Sequence, residues 1–196
     1  MTCGFKSHQP HQNFEVIDMN YKLKLHVPSL DELVYRQTIL MQPETMDYNK
    51  GYELKFPGYH KATGCIKFPQ EQWENWYGYW INNKPISYYA YIMRDLDKQF
   101  IGEVNLHYNS KHDWYDMGIV IEGKYRGQGY SKQALYLLLE IAFEKYSAKA
   151  VHNDFENTRE KAYKLHIDAG FKIIRSSSDI VDLVILKSDF TSIKNI

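Results

Sequence analysis

The spacing of apolar positions changes along this chain, and the changes mark its elements. Ala134, Leu135, Leu138, Ile141, Ala142 and Tyr146 recur every three or four residues, which predicts an amphipathic helix from about Tyr130 to Tyr146. Trp73, Trp76, Tyr77 and Trp80 share that spacing and predict a second helix over 70–81. Core packing is the simpler account of this aromatic stripe; one wall of a substrate pocket is the sharper one. Residues 88–93, 100–108 and 114–121 read as strands, separated by the turns 95–98 and 109–113. Together they predict an antiparallel meander. Alternation along its second strand puts Glu103, Asn105 and His107 on one face and Val104, Leu106 and Tyr108 on the other.

Local punctuation sets further boundaries. Ser29-Leu30-Asp31-Glu32 has the form of a capping box, which opens a helix from Leu30 to about Met41, ended by Pro43. Residues 49–69 are rich in glycine and proline and show no period. Downstream, 150–152 is a short strand, and Asn157-Thr158-Arg159-Glu160 caps a helix that stops at Gly170. Strands 171–174 and 180–186 follow, split by the turn 176–179. Helices, a meander, then strand-helix-strand-helix-strand-strand give an α+β (mixed α/β) sheet with helices packed on it.

At 196 residues the chain fits one domain, 1–196. Residues 1–20 are expected to be flexible or to form an edge strand, and 49–82 to be a variable insertion. Hydrophobic residues at 44% argue against disorder. The 24 basic and 24 acidic side chains balance, so the broad basic field of a nucleic-acid partner is missing. Cys3 and Cys65 have no paired spacing, so neither a disulfide framework nor a zinc site is expected. His8 and His11 could ligate a metal, but a solvated terminus accounts for them, and no metal is expected. The longest apolar run is too short to span a membrane, and residues 1–13 lack an apolar signal core. A cytoplasmic location is the expectation.

The candidate chemistry lies in Arg126-Gly127-Gln128-Gly129-Tyr130-Ser131, between a strand and a helix. First-turn N–H groups of a helix have no internal acceptors, and the helix dipole makes that end partially positive. Two glycines let the backbone approach an anion, and Arg126 adds a charge. Taken alone, such a turn is often only a turn. No Walker-type run and no dinucleotide fingerprint occur in the chain, which argues against a nucleotide enzyme.

Residues 118–135, from Gly118 through Gly127-Gln128-Gly129-Tyr130-Ser131 to Leu135, resemble the GNAT acetyltransferase superfamily. Its motif, Gln/Arg-x-x-Gly-x-Gly/Ala after a hydrophobic strand, has its fixed places filled by Arg126, Gly129 and Ser131, with Ser131 departing from Gly/Ala. The wording is closest to the branch that includes the ribosomal-protein N-terminal acetyltransferases. A second motif, Asn-x-x-Ala-x-x-x-Tyr-x-x-x-Gly-Phe, falls on Arg159, Ala162, His166, Gly170 and Phe171. There Arg159 replaces Asn and His166 replaces Tyr. The resemblance covers about 88–186.

This resemblance implies the acyl-CoA N-acyltransferase fold, with a mostly antiparallel twisted sheet and helices on both faces. It implies acetyl-CoA as co-substrate and direct transfer to a primary amine, small-molecule or peptide. Ile119, Val120 and Ile121 would lend their backbone to the pantetheine arm. Arg126, Gly127, Gln128, Gly129, Tyr130 and Ser131 would hold the pyrophosphate, with Asn157 as a further contact or simply a cap. Glu103 is the candidate general base, set against an ordinary strand glutamate. His166 or Tyr163, or water, would protonate the leaving thiolate; for His166 a packed core residue is the plainer reading. Residues 49–82 are expected to help bind the acceptor. A homodimer is implied by the family. The competing reading is a catalytically silent acyl-CoA-binding sensor that keeps the turn and tolerates loss of Glu103 and His166.

Overall fold

The computed structural model describes residues 22–55 and 57–194. His8, His11, Cys3 and the expected flexible start lie outside them. One seven-stranded sheet runs through the described residues. Its strands are β1 (Leu23–His26), β2 (Ser87–Arg94), β3 (Phe100–Asn109), β4 (Trp114–Ile121), β5 (Ala150–Glu156), β6 (Lys172–Ser176) and β7 (Ile180–Leu186), in the order β1-β2-β3-β4-β5-β7-β6. All neighbours are antiparallel except β4 and β5, which are parallel. The meander expected over 88–121 is β2-β3-β4, with the turn at 95–98 closed through Lys98 at φ 58°.

The helices are α1 (Leu33–Leu40), α2 (Pro43–Met46), α3 (Trp73–Trp80), α4 (Tyr130–Glu140), α5 (Glu160–Asp168) and α6 (Lys187–Lys194). Ala134, Leu135, Leu138 and Leu139 of α4 pack with Val104, Leu106 and Met117 in the main core. The opposite face of β2 and β3 carries Tyr89, Tyr91 and Glu103, and α1 and α3 cover it. Fully burying a side chain such as Leu138 stabilises by about 1.5–3 kcal/mol, so the α4 stripe fixes which face each helix takes.

Several boundaries moved. The helix expected from Leu30 starts at Leu33, because only half of the capping box forms. The Glu32 carboxylate accepts the Ser29 N–H at 2.8 Å, but the Ser29 hydroxyl also donates to Glu32, at 3.1 Å, and caps nothing. Pro43 ends α1 as expected and opens α2, where a missing N–H costs nothing. The helix over 130–146 changes to a π turn at 141–145, where Tyr146 N–H reaches the Ile141 carbonyl. Over 70–81, a 3₁₀ turn precedes α3. β5 runs to Glu156, well past residue 152, because seven rungs with β7 hold its polar half. Asn157 is no cap: α5 starts after Arg159 with no side-chain cap, and the Asn157 amide donates to the Ser178 carbonyl at 2.5 Å. β1, α2 and α6 had no pattern long enough to announce them.

Candidate active site

Parallel pairing of β4 and β5 involves only Tyr115 with Val151 and Asp116 with His152. Beyond that rung the strands part. β4 stays paired with β3 as far as Ile121, so over residues 117–121 its other edge carries no strand. Ile119, Val120 and Ile121 lie on this open edge. Unpaired strand edges are templates for an extended partner.

The open edge leads into a 3₁₀ turn, Gly123–Tyr125, and then into the glycine turn. Gly127 and Gly129 have φ of 78° and 79°, a left-handed conformation that L side chains rarely adopt. No atom lies within 4 Å of where a Cβ would sit on either one. Gly129 directly precedes α4, and no side chain caps that end. The N–H groups of Tyr130 and Ser131 thus stand in the first turn of an uncapped helix, beside open space of the kind a pyrophosphate needs.

Arg126 does not point into that space. Its guanidinium bonds the Ile121 carbonyl at 3.2 Å, the Thr45 carbonyl at 2.5 Å and Asp47 at 3.0 Å. It therefore clamps the turn to the end of β4 and to α2, where the sequence suggested a charge for the anion. Gln128 lies exposed and bonds back to the Lys124 carbonyl at 3.3 Å.

Glu103 lies on the face opposite Val104 and Leu106, as alternation required, and α4 covers the other face. It is 4% exposed, ion-paired with Arg36 of α1, and accepts the Tyr89 hydroxyl. Burial lowers the proton affinity of the Arg36 guanidinium, but Glu103 and Tyr89 more than offset this and hold it above its ordinary value. Burial, reinforced by Glu103, pushes the Tyr89 hydroxyl well up. Arg36 holds one carboxylate oxygen and Tyr89 the other, so both are engaged within the fold. Aromatic rings close over the pair: Trp76, Tyr89 and Phe68 have centroids 4.7, 5.3 and 5.4 Å from the guanidinium carbon. The Trp stripe of α3 is therefore packing, and it roofs the face that bears Glu103.

His166 is 1% exposed inside the α5–sheet interface. Its Nδ1 donates to the Ala162 carbonyl at 2.8 Å, and its Nε2 accepts from the Asn153 amide at 2.9 Å. Burial lowers its pKa and favours the neutral ring. Both nitrogens are occupied, so the ring has no free proton for a leaving group. Tyr163, three residues earlier on α5, is 37% exposed. The side chain of Asn157 is spent on the β6–β7 turn.

One pair was invisible in the sequence. Asp116 and His152 sit on the last rung before β4 and β5 part, with Oδ1 and Nδ1 2.8 Å apart. They are 36 residues apart, and only the parallel register joins them. Among the described residues, no group of three or more His, Cys, Asp or Glu is placed to hold a metal, and no helix is long and apolar enough to cross a membrane.

The family model for the acetyltransferase (GNAT) domain matches residues 23–172. It reaches well upstream of residue 88, where the motif resemblance began. A sequence comparison with curated proteins finds no match. Among solved structures, the chain is similar to spermidine N-acetyltransferase from Vibrio cholerae in complex with CoA and spermine, at 17% identity and a TM-score of 0.68, covering 87% of this chain and 98% of that one. Apo FdhC, a nucleotide-linked sugar GNAT, matches with 17% identity and TM-score 0.68 over 89% of this chain and 92% of its own. A GNAT-family acetyltransferase from Bacillus anthracis matches at 14% identity and TM-score 0.65, covering 86% and 96%. The open β4 edge, the uncapped glycine turn and a family match spanning most of the sequence converge: this chain belongs to the GNAT acetyltransferase family, with acetyl-CoA as its co-substrate.

Proposed function

We propose that the protein transfers an acetyl group from acetyl-CoA directly to a primary amine within a ternary complex. The observation that carries this reading is the continuity of the open β4 edge with the uncapped left-handed turn at Gly129. N–H groups of Gly127, Gln128, Gly129, Tyr130 and Ser131 would hold the pyrophosphate, and the backbone of Ile119, Val120 and Ile121 would pair with the pantetheine arm. Arg126 supports the turn from behind. Acetyl-CoA supplies the activated acyl group; the chain supplies placement and proton transfer.

Glu103 shapes the acceptor face by fixing Arg36 and Tyr89. Tyr163 is the proton donor this reading keeps for the leaving thiolate. The acceptor lies against the α3 side, where Tyr79 and Trp114 provide aromatic surface. The Gly-Gln-Gly-Tyr-Ser wording resembles the protein N-terminal branch, whereas one structural neighbour is titled as a complex with spermine. Both acceptors offer a primary amine.

The test is release of free CoA from acetyl-CoA against a panel of polyamines, peptide amino termini and amino sugars, alongside calorimetric CoA binding. Release with at least one amine is expected. Tight CoA binding with no release across the panel would reassign the chain as an acyl-CoA sensor, and absence of binding would overturn the site.

A further inference from the structure

We infer that His152, oriented by Asp116, is the general base that takes a proton from the acceptor amine. The inference rests on the proposed transfer reaction and adds to it a catalytic residue on β5.

The pair is built by the sheet. Register aligns Ser87, His107, Asp116 and His152 in one row across β2, β3, β4 and β5. This row shares its face with Glu103, the face away from α4. Its β4–β5 rung is the last before those strands part, so His152 stands at the head of the cleft. From Ile121 back to Asp116 is five residues, or about 16–17 Å of strand, on the scale of an extended pantetheine arm. An arm anchored at Gly129 and laid along β4 would end near this rung.

The local chemistry suits a base. Asp116 accepts three bonds: from Trp114 Nε1 at 2.9 Å, from Asn109 Nδ2 at 3.0 Å, and from His152 Nδ1 at 2.8 Å. Burial raises the Asp116 pKa, but the bonds from His152, Asn109 and Trp114 bring it below its ordinary value. An ionised carboxylate only accepts, so Nδ1 carries the hydrogen and Nε2 carries the lone pair. Trp114 stacks on the ring at 4.6 Å and 13°, which holds its plane, and His112 stacks on the far side of Trp114 at 4.4 Å.

The other candidates lack this arrangement. Glu103 is locked to Arg36, both nitrogens of His166 are occupied, and His107 is held by the hydroxyls of Ser87 and Tyr79. The titratable groups that register places on the same face around His152 are Asp116 on β4, His107 on β3, Asp154 along β5 and Asp182 on β7. Its β7 neighbour is Val184. Farther along the same face, Asp154 opposes Asp182, which Arg175 pairs.

The protons balance. An acceptor ammonium gives one proton to Nε2, and Asp116 stabilises the resulting imidazolium. The freed lone pair forms the C–N bond as the C–S bond breaks. Tyr163 gives its proton to the departing sulfur and is reprotonated by a second nitrogen-bound proton, and the imidazolium returns its proton to solvent.

The experiment combines three measurements on the whole chain. In the free protein, nitrogen NMR of His152 should show the Nδ1–H tautomer at high pH, and Asp116→Asn should move its titration to lower pH. With a turned-over amine, His152→Gln should lower kcat by about 10²-fold or more at unchanged CoA affinity, and the acidic limb of the wild-type rate profile should vanish. In Asp116→Asn that limb should follow the NMR titration. Wild-type turnover retained in His152→Gln, an Nε2–H tautomer, or a titration unmoved in Asp116→Asn would overturn the role of His152 alone. If His152→Gln does not fold, the tautomer and the two titrations decide. A wild-type protein that releases no CoA with any amine overturns the proposed reaction itself, and this role with it.

Discussion

The carboxylate of Glu103 and the guanidinium of Arg36 pair inside the protein, beneath the Trp76 ring. Burying both charges is costly, and their attraction offsets that cost only while both are present. Arg36 arrives from α1, whose position is fixed in turn by Tyr91, which accepts the Arg36 N–H at 3.3 Å and donates to the Glu32 carbonyl at 3.0 Å.

Removing one partner should therefore act on stability first. Arg36→Met leaves a buried carboxylate unpaired and should cost about 3–5 kcal/mol. Glu103→Gln should be destabilising as well, and the double variant Arg36→Met with Glu103→Gln should recover much of the loss. Denaturation midpoints for the four proteins give the coupling. Additive losses would mean that the pair is not coupled.

Gly129 precedes α4 at φ 79°, where a β-branched residue costs about 1–2 kcal/mol. Gly129→Val should keep the fold, since nothing lies within 4 Å of the new Cβ, yet lose most CoA affinity because that Cβ enters the space kept for the anion. Calorimetric titration with CoA reads this directly; unchanged affinity in a folded variant would place the pyrophosphate elsewhere.

Arg126 spans three groups: the Ile121 carbonyl, the Thr45 carbonyl and Asp47. A lysine cannot span them, so Arg126→Lys should lose about 1.5 kcal/mol of stability, mostly from the two carbonyl bonds and little from the exposed ion pair. Asp47→Asn should cost much less. Comparing the two by urea denaturation separates the clamp from simple charge.

The pKa of His166 is lowered by burial, whereas in the unfolded chain it is near 6.5. Below about pH 6.5 the unfolded chain takes up a proton that the folded protein does not. Stability therefore falls as pH drops through that window, by at most about 1.4 kcal/mol per unit from this group. His166→Gln should show a shallower loss between about pH 7 and 5, measured by melting midpoints, and should retain turnover. A collapse of turnover at unchanged folding would restore His166 to the chemistry.

The glycine turn was legible because its signals are local. Gly127 and Gly129 are demanded by backbone conformation, the α4 stripe by burial every three or four residues, and the meander by alternation that placed Glu103 opposite Val104 and Leu106. The roles of long side chains were not legible. Arg126 sits beside the turn in sequence, yet two of its three partners, Thr45 of α2 and Asp47 just past it, lie about eighty positions earlier. His166 fills a motif position, but only the packing of α5 shows both nitrogens occupied. Asn157 reads as a cap until the β6–β7 turn folds against it.

By itself, then, the sequence determined the order of the main elements, the faces of the strands and helices, and the glycine turn before α4, since each depends on neighbours within a turn or a strand. Tertiary structure decided which charges meet: Arg36 with Glu103, Arg126 with Thr45 and Asp47, and Asp116 with His152. Those pairings depend on sheet order and on a parallel register between strands joined through α4, and no short-range pattern encodes a contact made across that distance.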